Sequence, residues 1–399
     1  MPGIDGGTLG AWRRSRGWDV PEVARQLRRV ARESGVPVAA SAGLIRMIYA
    51  WERGDHDLSE RYELLYRSLG LGAGERSGES GTAAAGRGTL NRARLDTLSA
   101  RQVDELIHLL DDQWHVLVRT DNLLGPRHAL GGVRDQLGVI EILLRSVRPP
   151  ARHQVLQLGA RYAESAAWLH EDSGDLAGSR YWTGRSMGWA LEAGDRLMMS
   201  WVLYRRGEHA SADGDAAAAA GLAAAARREG GDLPGPMLAA ISQQEAHAHA
   251  LDGAEAYCLA ALDQALEQAA SPDDPGDASS GHGSFCTPAY LEMQRGRCWL
   301  RLGRPMRAMA ALDSAAGTLP PVYRRDRGVA LSALAAAYAA VGEPGEAASA
   351  AMQALEVGRD AGSERIVSMV IPVATALARH RGIEAVDQLS EALAEPSGA

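Results

Sequence analysis

Glycines recur along the C-terminal three quarters of the chain at a spacing that leaves little choice of architecture. They fall at Gly174, Gly214, Gly253, Gly303, Gly342 and Gly382, in steps of 40, 39, 50, 39 and 40 residues. A second break lies inside most periods, at Gly194-Asp195, Gly230-Gly231, Gly317 to Pro321 and Gly362. Each period therefore holds two segments of some 15–18 residues, too long for strands and rich in alanine, as in residues 330–340 and 347–355. Neither segment of a pair can bury its apolar face alone, so the pairs must stack on their neighbours. The pattern predicts an all-α chain with an α-solenoid of helical hairpins over residues 95–399. The one long step contains Ser271 to Ser284, whose Ser, Gly, Asp and Pro content predicts a disordered insert at about residues 271–286.

Ahead of the first period, Ser99-Ala-Arg-Gln102 reads as a capping box. The helix it opens repeats Val103, Leu110, Leu117 and Leu124 at sevens, with Ile107 and Trp114 between them. That stripe needs a partner, either the next helix, starting near Pro126, or a second subunit. On another face His108, Asp112 and His115 stand at spacings of four and three, as metal ligands do, although a solvated polar face has the same spacing and no further ligand is in view. We expect no metal and no cofactor.

The N-terminal stretch has a different character. Residues 8–53 carry nine Arg against four acids, a balance of +5, whereas residues 95–399 carry 27 Arg against 39 acids, a balance of −12. Any contact with a polyanion has to be made by the small basic part. Thr8 is a candidate cap for a first helix that stops at Gly17. Asp19-Val20-Pro21-Glu22 offers an Asp cap with Pro in the first turn for a second helix, whose apolar stripe is Val20, Val23, Ala24, Leu27 and Val30 or Ala31. After a loop around Pro37, Ser41 is placed to cap a third helix, and Asp57 to Glu60 a fourth that buries Tyr62, Leu65, Tyr66 and Leu69. The third helix, Ser41 to Gly54, has two faces at 100° per residue. Leu44, Ile48 and Trp51 want a core, while Ala42, Arg46, Tyr49, Ala50 and Arg53 offer guanidinium forks, a phenol and small residues that permit close approach. Arg is the usual reader of guanine in a major groove and a phosphate clamp.

The ending Trp51-Glu52-Arg53-Gly54 resembles the W-E-x-G close of the recognition helix in XRE-type helix-turn-helix regulators. The resemblance covers about the first 70 residues. It implies a DNA-binding domain over residues 1–70, with base readout from Ser41, Arg46, Tyr49, Ala50 and Arg53 and phosphate contacts from Arg13, Arg14, Arg16, Arg25 and Arg28. Residues 71–94, almost without large apolar side chains, read as a flexible linker. The later hairpins look like degenerate tetratricopeptide repeats, although their period exceeds the usual 34 residues. Together with the head they resemble actinobacterial helix-turn-helix regulators with such repeats, and more distantly the peptide-sensing RRNPP regulators.

Several function classes are excluded by what is missing. All 42 basic residues of the Lys and Arg total are arginine, so no P-loop, kinase or Schiff-base lysine exists. The three cysteines, Cys258, Cys286 and Cys298, form neither a CxxC nor an even set. No HExxH, no strand-borne G-x-S-x-G and no nucleophile beside a base is found, so no enzyme is expected. The absence of an 18-residue apolar run and of a leader pattern leads us to expect a cytoplasmic protein without membrane contact.

Seven of the chain's 20 aromatic residues lie between positions 162 and 204. We take Tyr162, Trp168, Arg180, Trp182, Arg185, Trp189, Trp201, Tyr204 and Arg205 as the candidate site for a peptide or small-molecule effector, with core packing as the alternative use of the rings. The whole reads as a homodimeric regulator of double-stranded DNA that responds to such an effector. The alternative is a tetratricopeptide-like interaction scaffold whose head is vestigial or merely localises it.

Overall fold

The computed structural model describes residues 9–10, 12–13, 16, 18–33, 38–53, 56, 58–59, 62–63, 65–66, 69, 98–269 and 281–395, with residues 32, 33, 41 and 42 described by backbone alone. Thr8, Arg14, Gly17, the stretch 71–94 read as a linker and residues 271–280 of the expected insert lie outside them. The described residues are all-α, with 16 α-helices and no strand among them. The chain divides into two compact units, residues 1–87 and 88–399.

In the first unit, α1 (Val20–Glu33) opens as the sequence predicts, with the Asp19 carboxylate accepting from the Glu22 amide at 2.7 Å. The second helix, α2 (Ser41–Arg53), begins one residue early. The Leu44 amide donates to the Ala40 carbonyl, so Ser41 is the first helical residue and not the cap. Val23, Ala24 and Leu27 of α1 meet Leu44, Ile48 and Trp51 of α2 in one core with Leu9, Tyr62, Leu65 and Tyr66. Trp51 lies 4.8 Å from the Tyr62 ring and 6.3 Å from Tyr66.

The second unit starts with α3 (Ala100–Leu124), whose Ser99/Gln102 capping box is present, and α4 (Pro126–Ser146). Turn-linked pairs follow: α5 (Ala151–Asp172) and α6 (Leu176–Ala193), α7 (Arg196–Ala212) and α8 (Ala216–Gly230), α9 (Gly235–Leu251) and α10 (Glu255–Glu267). Then come α11 (Pro288–Arg301) and α12 (Pro305–Thr318), α13 (Arg324–Val341) and α14 (Pro344–Asp360), α15 (Glu364–Leu377) and α16 (Glu384–Ala394). The six periodic glycines all adopt left-handed φ between 69° and 95°, which a side chain disfavours and which lets the chain reverse. Asp175 and Asp215, each beside a periodic glycine, and Asp195, beside left-handed Gly194 (φ 64°), cap the next helix by accepting from an amide three residues on at 2.9 Å.

Within each pair the helices pack closely, and each of α5, α7, α9, α11, α13 and α15 also packs on the next of that series. Helix α15 then returns to α5, so the contacts form a closed circuit. Two glycines allow the close approaches. Gly125 (φ 90°), between α3 and α4, sits against the Ala361 carbonyl, where a Cβ would come to 2.3 Å, and a Cβ on Gly296 would lie 2.4 Å from buried Leu312.

Two expectations are corrected here. Residues 281–286 are not disordered: Gly283, Ser284 and Cys286 are buried, and His282 stacks on Trp201 at 4.8 Å. The seven-residue stripe of α3 is buried only in part. Val103, Ile107, Leu110 and Trp114 pack on the body, Leu117 is half-buried and Leu124 is 52% exposed. A repeat of seven drifts by about 20° per heptad on a straight helix, enough over three heptads to carry Leu124 off the buried face.

A candidate ligand cavity and a candidate nucleic-acid face

A cavity of about 540 Å³ is lined from α3, α4, α5, α7, α11, α13, α15, the 281–285 turn and residues 322–323. Of the residues expected to hold a ligand, Trp168, Trp201, Tyr204 and Arg205 line it. The others do different work. Tyr162 is core, its hydroxyl donating to the Leu110 carbonyl at 2.6 Å. Trp189 is buried against Gly159 and covered by Arg185, which pairs with Glu141. Arg180 faces outward to Asp213, and Trp182 packs on the core beside exposed Tyr181. These five sit on the wrong sides of α5 and α6, and we withdraw them from the site.

Sequence reasoning missed much of the lining, including Trp114, Glu164, His282, Arg297, Asp326 and Arg365. Three carboxylates of the lining gather round one guanidinium group. Arg205 of α7 holds Glu171 at 2.7 Å and also pairs with Glu208, while Glu164 stands 3.6 Å from its Nε, too far for a hydrogen bond. Burial pushes the Glu164 carboxyl up against the pull of Arg205. Burial also lowers His282 to about 4, so its imidazole is neutral where it stacks on Trp201.

The closure of the circuit adjoins this group, since Arg205, Arg325 and Arg365 all stand 5.0–5.8 Å from the Trp168 ring. Asp172, fully buried at the end of α5, accepts from Ser363 Oγ at 2.6 Å, Arg365 Nε at 3.1 Å and Arg325 Nη1 at 3.0 Å. Arg325 also reaches the carboxylate and the carbonyl of Asp121 on α3, both at 2.8 Å. Trp168 lies beneath this cluster, 5.0 Å from the Arg365 guanidinium. Arg365 Nη2 and Asp121 Oδ1 are buried with no hydrogen-bond partner. Asp326 makes no ion pair among the described residues, and burial raises its carboxyl to about 6 although Arg365, Arg325 and Arg297 pull it down. Polar groups of both signs thus face the cavity incompletely satisfied, a costly arrangement that a polar ligand or water relieves.

In the first unit Arg46 and Arg53 are exposed and Tyr49 is 47% exposed, on the opposite side of α2 from Leu44, Ile48 and Trp51. Ala50 and Arg46 border a shallow hollow with Trp51 and His56. Arg13 is turned inward, donating to both Glu52 oxygens at 2.6 and 2.8 Å and to the Trp18 carbonyl. It ties the first helical segment to α2, and its fork is not available to a phosphate. Arg16 is exposed over Trp12 and Trp18. Arg25 pairs with Glu22, and Arg28 is exposed. Among the described residues no group of three His, Cys, Asp or Glu is placed to hold a metal, and no helix is long and apolar enough to cross a membrane. The chain matches no protein-family model and no curated protein.

Proposed function

We propose that the protein is a sequence-specific DNA-binding transcriptional regulator, with an XRE-type helix-turn-helix head and a tetratricopeptide-like α-solenoid that takes a cytoplasmic effector and forms the dimer. The observation that carries the reading is the division of α2, with Leu44, Ile48 and Trp51 in the core of the head and Arg46, Tyr49 and Arg53 outward. A helix anchored on one face and presenting two guanidinium groups and a phenol on the other is what major-groove readout needs. Arg16 and Arg28, both exposed, serve as phosphate contacts. The effector site is the cavity, whose volume of about 540 Å³ suits a small molecule. No catalytic role is assigned to it.

The test is selection of binding sites by the full-length protein from random duplexes, followed by titration at several salt concentrations. The expected result is a selected two-part site with a steep salt dependence. Arg46→Ala is expected to lose roughly 1–3 kcal/mol of discrimination at one base position with the fold unchanged. Absence of any selected sequence would overturn the reading in favour of an interaction scaffold.

A further inference from the structure

Helix α3 keeps a second seven-residue stripe that its own body does not cover. Leu109 is 51% exposed, Val116 59% and Leu123 73%. Three large aliphatic side chains in register on one 25-residue helix form a row, not scattered exposure. Charged residues alternate with them, Glu105 ahead of Leu109 and Asp112 and Arg119 between the three, so that 105, 109, 112, 116, 119 and 123 follow the alternating spacing of a coiled-coil seam. Among the described residues Asp112 and Arg119 are exposed and make no ion pair, and Glu105 makes the surface pair with Arg101 at 2.9 Å. The opposite face of the same helix carries Val103, Ile107, Leu110 and Trp114 into the core.

We propose that this seam is a dimer interface whose occupant is the α3 of a second copy, running antiparallel. The charges choose the partner and its direction. In an antiparallel pair centred on Trp114, Leu109 meets the partner's Arg119, Asp112 meets Val116 and Glu105 meets Leu123. Each Arg119 then lies between Glu105 and Asp112 of the other copy, with its aliphatic stem on Leu109. A parallel pair in register would stack Glu105 on Glu105, Asp112 on Asp112 and Arg119 on Arg119, like charge on like charge at each of its charged layers. The geometry also suits the reading of the protein as a dimeric DNA-binding regulator, on which the biological sense of the proposal rests. At 1.5 Å per residue the two Ala100 ends, where the heads are attached, lie about 42 Å apart, close to the 34–36 Å that separates half-sites one helical turn apart.

The test uses no DNA, so it can fail while the regulator reading stands, and the converse also holds. Sedimentation and light scattering of the full-length protein from about 1 to about 100 µM are expected to show a monomer–dimer equilibrium with dissociation in the micromolar range, as befits a seam one helix wide. Val116→Glu and Arg119→Glu, both on exposed positions, are each expected to weaken dimerisation at least tenfold with an unchanged helical circular dichroism spectrum. The triple inversion E105R/D112R/R119E re-creates the antiparallel complementarity and is expected to restore the dimer. A wild-type protein that stays monomeric, or variants V116E and R119E that dimerise like the wild type, would overturn the interface. A triple variant no better than R119E would overturn the antiparallel register.

Discussion

Replacing Asp172 by Asn tests whether the circuit of helices is held shut by charge. The side chain is fully buried and accepts from three donors, two of them on guanidinium groups that belong to α13 and α15. Asn keeps the shape and one acceptor oxygen, which can still serve Ser363. Its amide would face Arg325 Nη1 at 3.0 Å, donor against donor, and both guanidinium groups would lose their shared anion. Arg325 retains Asp121, while Arg365, whose Nη2 is already without a partner, would keep a neutral acceptor at 3.1 Å in place of the anion, beside the face of Trp168 and the charges of Glu171 and Asp326. Removing one member of a buried ion pair costs about 3–5 kcal/mol. Little else joins α15 to α5, so that cost falls on the closure and not on the whole body, and the first turns of α13 and α15 should open roughly 150- to 5,000-fold more often. Hydrogen exchange of peptides from residues 324–330 and 363–370 reads this, with α7 and α8, joined within their own pair, as an internal reference. Exchange in D172N that matches the wild type at both sites would refute the idea that this cluster is the clasp.

Two further substitutions bear on packing and pH. Gly296→Ala places a methyl 2.4 Å from Leu312 Cγ where Leu312 is fully buried, and overpacking of this kind is expected to cost about 1–3 kcal/mol in denaturant unfolding; a neutral result would mean that α11 and α12 can part. Asp326 has its carboxyl raised from 3.8 to about 6, so between these values the folded chain holds a proton that the unfolded chain releases. Its contribution is present below pH 4 and lost as pH rises through 6, and Asp326→Asn is expected to be more stable than the wild type at pH 7 by up to about 3 kcal/mol, with the gap closing at pH 4. His282, lowered from 6.5 to about 4, has the opposite slope over the same range, so the reading comes from the difference between variant and wild type, and a D326N no more stable at pH 7 would sink it.

What the sequence made legible was local. The periodic glycines and their neighbouring Asp caps are short-range signals, because a left-handed φ and a side chain reaching an amide three residues on are decided within one turn. Trp201, Tyr204 and Arg205 were found because aromatic and Arg residues crowd together in the chain. The clasp had no such signal: Asp172 lies 153 residues from Arg325 and 193 from Arg365. His282 and Phe285 were hidden for another reason. A Gly- and Ser-rich stretch cannot order itself, but it can be ordered by a wall of rings, and Phe285 reaches both Trp201 at 6.0 Å and Tyr290 at 4.9 Å. Arg13 looked like a phosphate contact because composition does not reveal that Glu52 waits for it across the core.

Helix α3 joins these threads. One side of it closes the cavity through Trp114 and Asp121, and Asp121 is held by Arg325 from the far end of the circuit. The other side carries the Leu109, Val116 and Leu123 row. Under the proposed function, a ligand that draws Arg325 or Arg365 toward itself competes with Asp121 and Asp172 for the same guanidinium groups. Because α3 is a rigid 25-residue rod, a small tilt at Asp121 moves its Ala100 end by more than it moves the contact itself. The coupling between effector and DNA then needs no separate pathway. It requires only that the ligand bind the opened and closed clasp with different affinity, since a ligand indifferent to the two states shifts neither.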